Sequence, residues 1–157
     1  MASGGLMRPR VLMVLMILAS ACGENGPDTD GVFGNWRLTG ANLQPLPAMG
    51  NATGGETWAA AVLQLNGSTG IFDRCFRNQA TLTKTSLPTT VIVTRITEDS
   101  FTVSYDDRDQ SAPDTATISN DQLTLRYRDT VDGQAGLDEL SFIPLDGVIP
   151  EACSLAP

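Results

Sequence analysis

The chain lacks histidine throughout its 157 residues and carries one lysine, Lys84. Without imidazole there is no Ser-His-Asp or Cys-His relay, no His-ligated zinc and no histidine pH switch. Aromatics are few, at five Phe, two Trp and two Tyr. That number suits a filled core or a lined pocket equally well. Cysteine is confined to Cys22, Cys75 and Cys153, with no C-x-x-C pair for redox or metal work. Positive charge is scarce too, 10 Lys+Arg against 18 Asp+Glu, for a net charge of −8. Such a balance repels phosphate backbones and argues against a nucleic-acid partner. The length suits one domain.

No apolar run is long enough to cross a bilayer. Val11–Leu18 is eight residues, against the roughly 20 that a spanning helix needs. With Arg8 and Arg10 before it and Ala19-Ser20-Ala21 after it, this stretch reads as a signal peptide over residues 1–21. Leu18-Ala-Ser-Ala-Cys22 resembles a bacterial lipobox, which implies lipidation of Cys22 and a membrane partner reached through that lipid. Ala19 stands where leucine is usual, and Ala19-Ser20-Ala21 also satisfies ordinary signal peptidase, which would cut the same bond. Cleavage removes two arginines and leaves 8 basic against 18 acidic side chains, net −10. Gly23 rather than aspartate after the cysteine implies, by similarity to enterobacterial sorting, the outer membrane. Residues 22–32, acidic and poor in apolar groups, read as a lipidated amino terminus and flexible tether.

After residue 21 the chain holds 17 threonines and no helical stripe longer than two turns. Period-two alternation dominates. Trp36 and Leu38, then Phe101, Val103 and Tyr105, then Leu123, Leu125 and Tyr127 each mark the inner face of a strand. Further strands are expected at Ala60–Leu65, Ile71–Phe76, Ala80–Thr85, Thr90–Thr97, Thr115–Ser119 and Leu140–Ile143. The Ile71–Phe76 spacing also allows a helical turn. Asn66-Gly67 is the strongest hairpin signal, and Glu98-Asp99 and Asn120-Asp121 look like short connections. About eight strands without crossover helices predict an all-β fold, a small antiparallel barrel or sandwich.

Gly34-Asn35-Trp36-Arg37-Leu38, followed by Asn42-Leu-Gln-Pro45-Leu46-Pro47, resembles the opening of bacterial lipocalin-like lipoproteins, although Leu43 replaces the usual glycine. Ala116–Leu125 is similar to that family's closing hairpin. The resemblance implies a lipocalin-like up-and-down barrel over residues 33–146. In it Trp36 would plug one end beneath a late-strand arginine, Arg126 or Arg128, or be plain core beside two solvated arginines. Phe101, Val103, Tyr105, Leu123, Leu125 and Tyr127 would line the barrel.

If Cys22 carries lipid, Cys75 and Cys153 remain. Outside the cytosol such a pair forms a disulfide, which would staple a carboxy-terminal tail, residues 147–157, to the barrel; a reactive thiol is the alternative. Asp106-Asp107-Arg108-Asp109 lacks the ligand spacing of a calcium loop and reads as a solvated hairpin tip. No catalytic set, metal site or cofactor motif appears. The expectation is a non-catalytic, lipid-anchored envelope protein, either holding a small apolar or amphipathic ligand or, with a solid barrel, meeting an envelope protein partner.

Overall fold

The computed structural model describes residues 32–51, 56–131 and 134–157. The expected signal peptide, Cys22 and the expected tether up to residue 31 fall outside them, while Val32, read as the tether's last residue, is buried and opens the first strand. The fold is all-β, with ten strands: β1 (Val32–Ala41), β2 (Gln44–Pro45), β3 (Ala48–Met49), β4 (Thr57–Gly67), β5 (Thr69–Arg77), β6 (Lys84–Thr97), β7 (Ser100–Tyr105), β8 (Asp114–Ser119), β9 (Gln122–Val131) and β10 (Gln134–Pro144). From β4 to β10 each strand pairs antiparallel with the next. β1 closes the circle: its first half pairs with β4, from Val32↔Gly67, and its second with β10, to Ala41↔Leu140. Eight strands thus form a closed up-and-down barrel, and β2 and β3 are short additions at the far end. Closure removes the exposed edges that an open sheet would offer.

The turns follow local chemistry. Ser119 pairs with Gln122, so Asn120 and Asp121 are the two loop residues, both at positive φ (51° and 57°). Both residue types tolerate that region, and the type I′ turn matches strand twist. The β4–β5 hairpin forms where Asn66-Gly67 signals it, but shifted by one residue: Asn66 pairs with Thr69 and the loop is Gly67-Ser68. Glycine at the first loop position, φ +75°, gives a II′ turn. Asn42-Leu43 forms another I′ turn, with Leu43 at φ +64° and 93% exposed.

One expected strand, Ala80–Thr85, is largely absent. Over Ala80–Thr83 the chain turns instead, and only Lys84 and Thr85 of the expected strand are extended, as the start of β6: the Asn78 side chain accepts from the Ala80 and Thr81 amides at 2.9 and 3.1 Å, and Leu82 adopts φ +58°. The expected Thr90–Thr97 strand is the last part of β6, which starts at Lys84 and runs through Pro88. Proline is tolerated there because β7 pairs only with Val91–Thr97, leaving Pro88 flanked by β5 alone. Ile71–Phe76 is strand, not helical turn.

Inside, Trp58, Phe72, Phe101, Phe142 and Tyr127 are fully buried together with Leu63, Leu123, Leu125 and Leu140. Trp58 sits 4.5 Å from Phe76 and 5.3 Å from Tyr127, ring centre to ring centre. Trp36 closes the end from which β1 starts. A Cβ on Gly34 (φ +138°) would come within 2.9 Å of the Trp36 Nε1, so the glycine of Gly34-Asn35-Trp36 is the floor on which the indole rests. The tail packs on the outside: Leu145, Ile149, Ala152 and Cys153 cover Ala59, Ala60, Val62 and Cys75. The Cys75–Cys153 disulfide holds it there. Beside the bridge, outward-facing Asp73 accepts from the Ala152 amide at 2.7 Å and from Ser86 Oγ at 2.7 Å.

Candidate functional site

The polar groups converge at the end opposite Trp36, the mouth of the barrel. Arg74 follows Phe72 on the inner face of β5 and is 5% exposed. Its Nη1 donates to Tyr127 Oη at 2.9 Å, its Nε to the Leu87 carbonyl at 3.3 Å, and its Nη2 pairs with Asp107. Burial alone would lower its pKa; the Tyr127 oxygen and Asp107 outweigh this and hold it above the ordinary arginine value.

The β7–β8 loop supplies the lid of this end. Arg108 inserts its guanidinium over two tyrosine rings, 4.0 Å from the centre of Tyr105 and 4.3 Å from that of Tyr127. The same group meets Asp114 at 3.0 Å and Asp129 at 3.3 Å, and donates to the Arg128 carbonyl. Asp114, with no exposed side-chain surface, also accepts from the Arg128 amide at 3.1 Å. Burial pushes the Asp114 carboxyl up despite that amide and Arg108. It lifts the Tyr105 hydroxyl well above its usual value, with the Asp114 charge adding to the effect. Tyr127 is raised by burial to about 12 although Arg74 and Arg108 oppose the shift. Asp107 goes the other way: burial would raise it, but hydrogen bonds from Thr89 and Arg74 lower it. The charge run expected as a solvated tip therefore turns inward at Asp107 and Arg108, because buried partners of opposite sign wait at the mouth.

A second carboxylate ties the other side of the mouth. Asp138, fully buried on β10, accepts from Trp58 Nε1 at 2.8 Å, Asn42 Nδ2 at 2.7 Å and the Asn51 amide at 2.6 Å. Asn42 Oδ1 in turn accepts from the Glu139 amide at 3.0 Å. This one network locks the β1–β2 turn, the segment after β3 and the buried indole onto β10.

The inner-face residues read from alternation are all in the interior: Phe101, Val103, Tyr105, Leu123, Leu125 and Tyr127 are each at most 6% exposed. Trp36 lies among them at the closed end. The cation–π contact, however, is at the mouth and belongs to Arg108 over Tyr105 and Tyr127. Arg126 faces solvent on β9, and Arg128 leans toward Asp114 at 3.8 Å. Arg74, Arg108, Asp114 and Asp138 were not legible as site residues. Arg74 alone left a trace, as the arginine between Phe72 and Phe76 on one period-two face.

Chemically, the mouth is a set of ion pairs and stacked rings, in which the buried Tyr105 Oη, Arg108 Nε and Gln110 Nε2 are without a hydrogen-bond partner. Arg74, Arg108, Asp107 and Asp114 all have partners of opposite charge. Among the described residues no group of three or more Cys, Asp or Glu side chains converges on a metal-sized gap. Beside Arg108 and Arg128 a surface cleft of about 450 Å³ runs past Gln110, Ala112, Asp129 and Gly136. A smaller cleft of about 280 Å³ lies on the outer wall between Arg37, Pro45, Ala59 and Leu155. No known protein family matches this chain, and no curated protein or solved structure does so either.

Proposed function

We propose that this chain is a lipid-anchored lipoprotein of the bacterial cell envelope, outer-membrane in location, whose solid barrel works through its outer surface and not through catalysis or ligand carriage. The observation that carries the solid-barrel reading is the filling of the interior. Trp58, Phe72, Tyr105, Tyr127 and Phe142 form a chain of ring contacts there, with centres 5.3 to 6.3 Å apart for the contacting pairs, and Phe101 is buried in the same core. Arg108 stacks across the one end a ligand would use, held by two carboxylates. Small eight-stranded barrels are just wide enough for side chains to fill them.

The anchor reading rests on the lipobox-like Leu18–Cys22 segment and the short apolar run before it. The kinship with lipocalin-like lipoproteins belongs to the same proposal. It is supported by the up-and-down strand order and by the Trp36 indole resting on Gly34. Native mass spectrometry of protein extracted from its own membrane tests both parts. The expected spectrum shows the chain from Cys22 with acyl mass and no small-molecule adduct, and no fluorescence gain with an apolar dye. A stoichiometric adduct, or dye binding that Arg108→Ala increases and the adduct abolishes, would replace the solid barrel with a ligand carrier.

A further inference from the structure

We infer that the outer wall formed by the starting end of β1 with β4, β5 and β6 is the face that lies against the lipid surface; this rests on the anchor proposed above and adds the orientation of the domain to it.

Four large apolar side chains stand exposed on this wall: Phe33 at 63%, Ile71 at 45%, Ile92 at 58% and Ile96 at 58%. Strand register brings them together. Phe33, Asn66, Thr69 and Ile92 form one row across β1, β4, β5 and β6, and Ile71 lies in the next row between Gln64 and Thr90. The outward positions around them, Gln64, Asn66, Thr69, Thr90 and Thr94, are all uncharged. The wall belongs to a chain whose part after residue 21 carries net −10. An acidic domain held beside an anionic leaflet is repelled by it, so the side that approaches must be the one without carboxylates. The one carboxylate on the same face of these strands, Asp73 two residues along β5 from Ile71, is buried beneath the tail, bonded to the Ala152 amide and Ser86; Glu98 and Asp99 sit beyond the wall at the β6–β7 turn.

Where the rest of the chain joins decides the occupant. Residues 1–31 connect at Val32, next to Phe33 and paired with Gly67, which is the same end of the same wall. From Cys22 to Val32 is ten residues, a reach of at most about 36 Å. A lipid on Cys22 therefore keeps this wall within a few tens of ångströms of the headgroups, where weak apolar contacts act as intramolecular ones.

The test uses the mature acylated protein in vesicles of phosphatidylethanolamine and phosphatidylglycerol doped with a diazirine-bearing phospholipid. After irradiation, peptide mapping should find lipid adducts in segments 32–35, 69–71 and 90–97, and none in 78–83 or 106–111 at the far end. The combined variant Phe33→Asn, Ile71→Thr, Ile92→Thr, Ile96→Thr should label about tenfold less in these segments. Its unfolding midpoint should hold, since all four side chains are exposed. Even labelling of both ends, labelling concentrated at 78–83 or 106–111, or a stable dimer that shields the wall would overturn the orientation. Absence of acyl mass on Cys22 would sink the anchor alone. Coupling the free thiol to a maleimide phospholipid would then repeat the mapping and judge the wall by itself.

Discussion

Arg108 is the residue whose removal should most clearly reveal how the mouth is held. Arg108→Met keeps a side chain of comparable length over Tyr105 and Tyr127 but removes the charge that faces Asp114 at 3.0 Å and Asp129 at 3.3 Å. Asp129 is partly exposed and can turn to water; Asp114 cannot, having no exposed side-chain surface. Leaving that buried charge with only the more distant Arg128, at 3.8 Å, costs about 3 kcal/mol. Removing the carboxylate instead, in Asp114→Asn, costs roughly 2 kcal/mol, since Arg108 keeps Asp129 and the two rings. In the double variant the loss is shared, so it should fall about 2 kcal/mol short of the sum. Urea unfolding at constant m-value reads each number. The pH arm fixes the cause. The Asp114 carboxyl is already raised by burial, and losing Arg108 raises it further. An acid raised in the folded state is favourable below its unfolded value and loses that contribution as pH rises through the folded one. The Arg108→Met deficit should therefore be largest above the raised Asp114 value and shrink as pH falls through it toward the ordinary carboxylate range. Asp107, shifted the other way, loses its contribution only as pH falls through its lowered value and stays out of this window. Additivity within about 0.5 kcal/mol, or a deficit indifferent to pH, would refute the coupling.

Leu43→Gly should stabilise the protein. Leucine at φ +64° costs about 1–2 kcal/mol and, at 93% exposure, repays nothing through burial, while glycine loses about 0.5–1 kcal/mol of unfolded-state entropy. A thermal midpoint some 2–4 °C higher is expected, and a lower one would mean that Leu43 is held by contacts. Alkali should destabilise the barrel before it titrates Tyr127. Unfolded tyrosine ionises near its model value of 10, while the folded side chain is held to about 12. Stability present below the lower value is lost between the two, roughly 3 kcal/mol in all. Tyr127→Phe should flatten that part of the alkaline stability curve. Reduction of Cys75–Cys153 opens a separation of 78 residues, for which the chain-entropy model sets an upper figure of about 4.5 kcal/mol. The reduced protein should be cut by protease within residues 146–157 while β-sheet circular dichroism persists; full unfolding would show that the tail is integral to the barrel.

Local order fixed a good deal of this molecule from the chain alone. Alternation assigned Phe101, Val103 and Tyr105, and Leu123, Leu125 and Tyr127, to one face, because side chains on a strand alternate whatever the strand packs against. Asn120-Asp121 and Asn66-Gly67 announced hairpins, because positive φ is a property of the residues in the turn. Cys75 and Cys153 were left to each other by composition. Ala80–Thr85 misled, because its alternation is outweighed by the Asn78 side chain, which captures two amides and turns the chain.

The tertiary structure alone decided the rest. That β1 would pair with both β4 and β10, making a closed barrel instead of a sandwich, depends on register across more than 100 residues. That Arg108 and Asp107 would enter the mouth while Arg126 stayed in water depends on Arg74, Asp114 and Tyr127, which lie 6 to 33 positions from their partners on three strands. A charge in a polar loop has no local signal for turning inward. It does so only where distant strands have already gathered a buried partner of opposite sign.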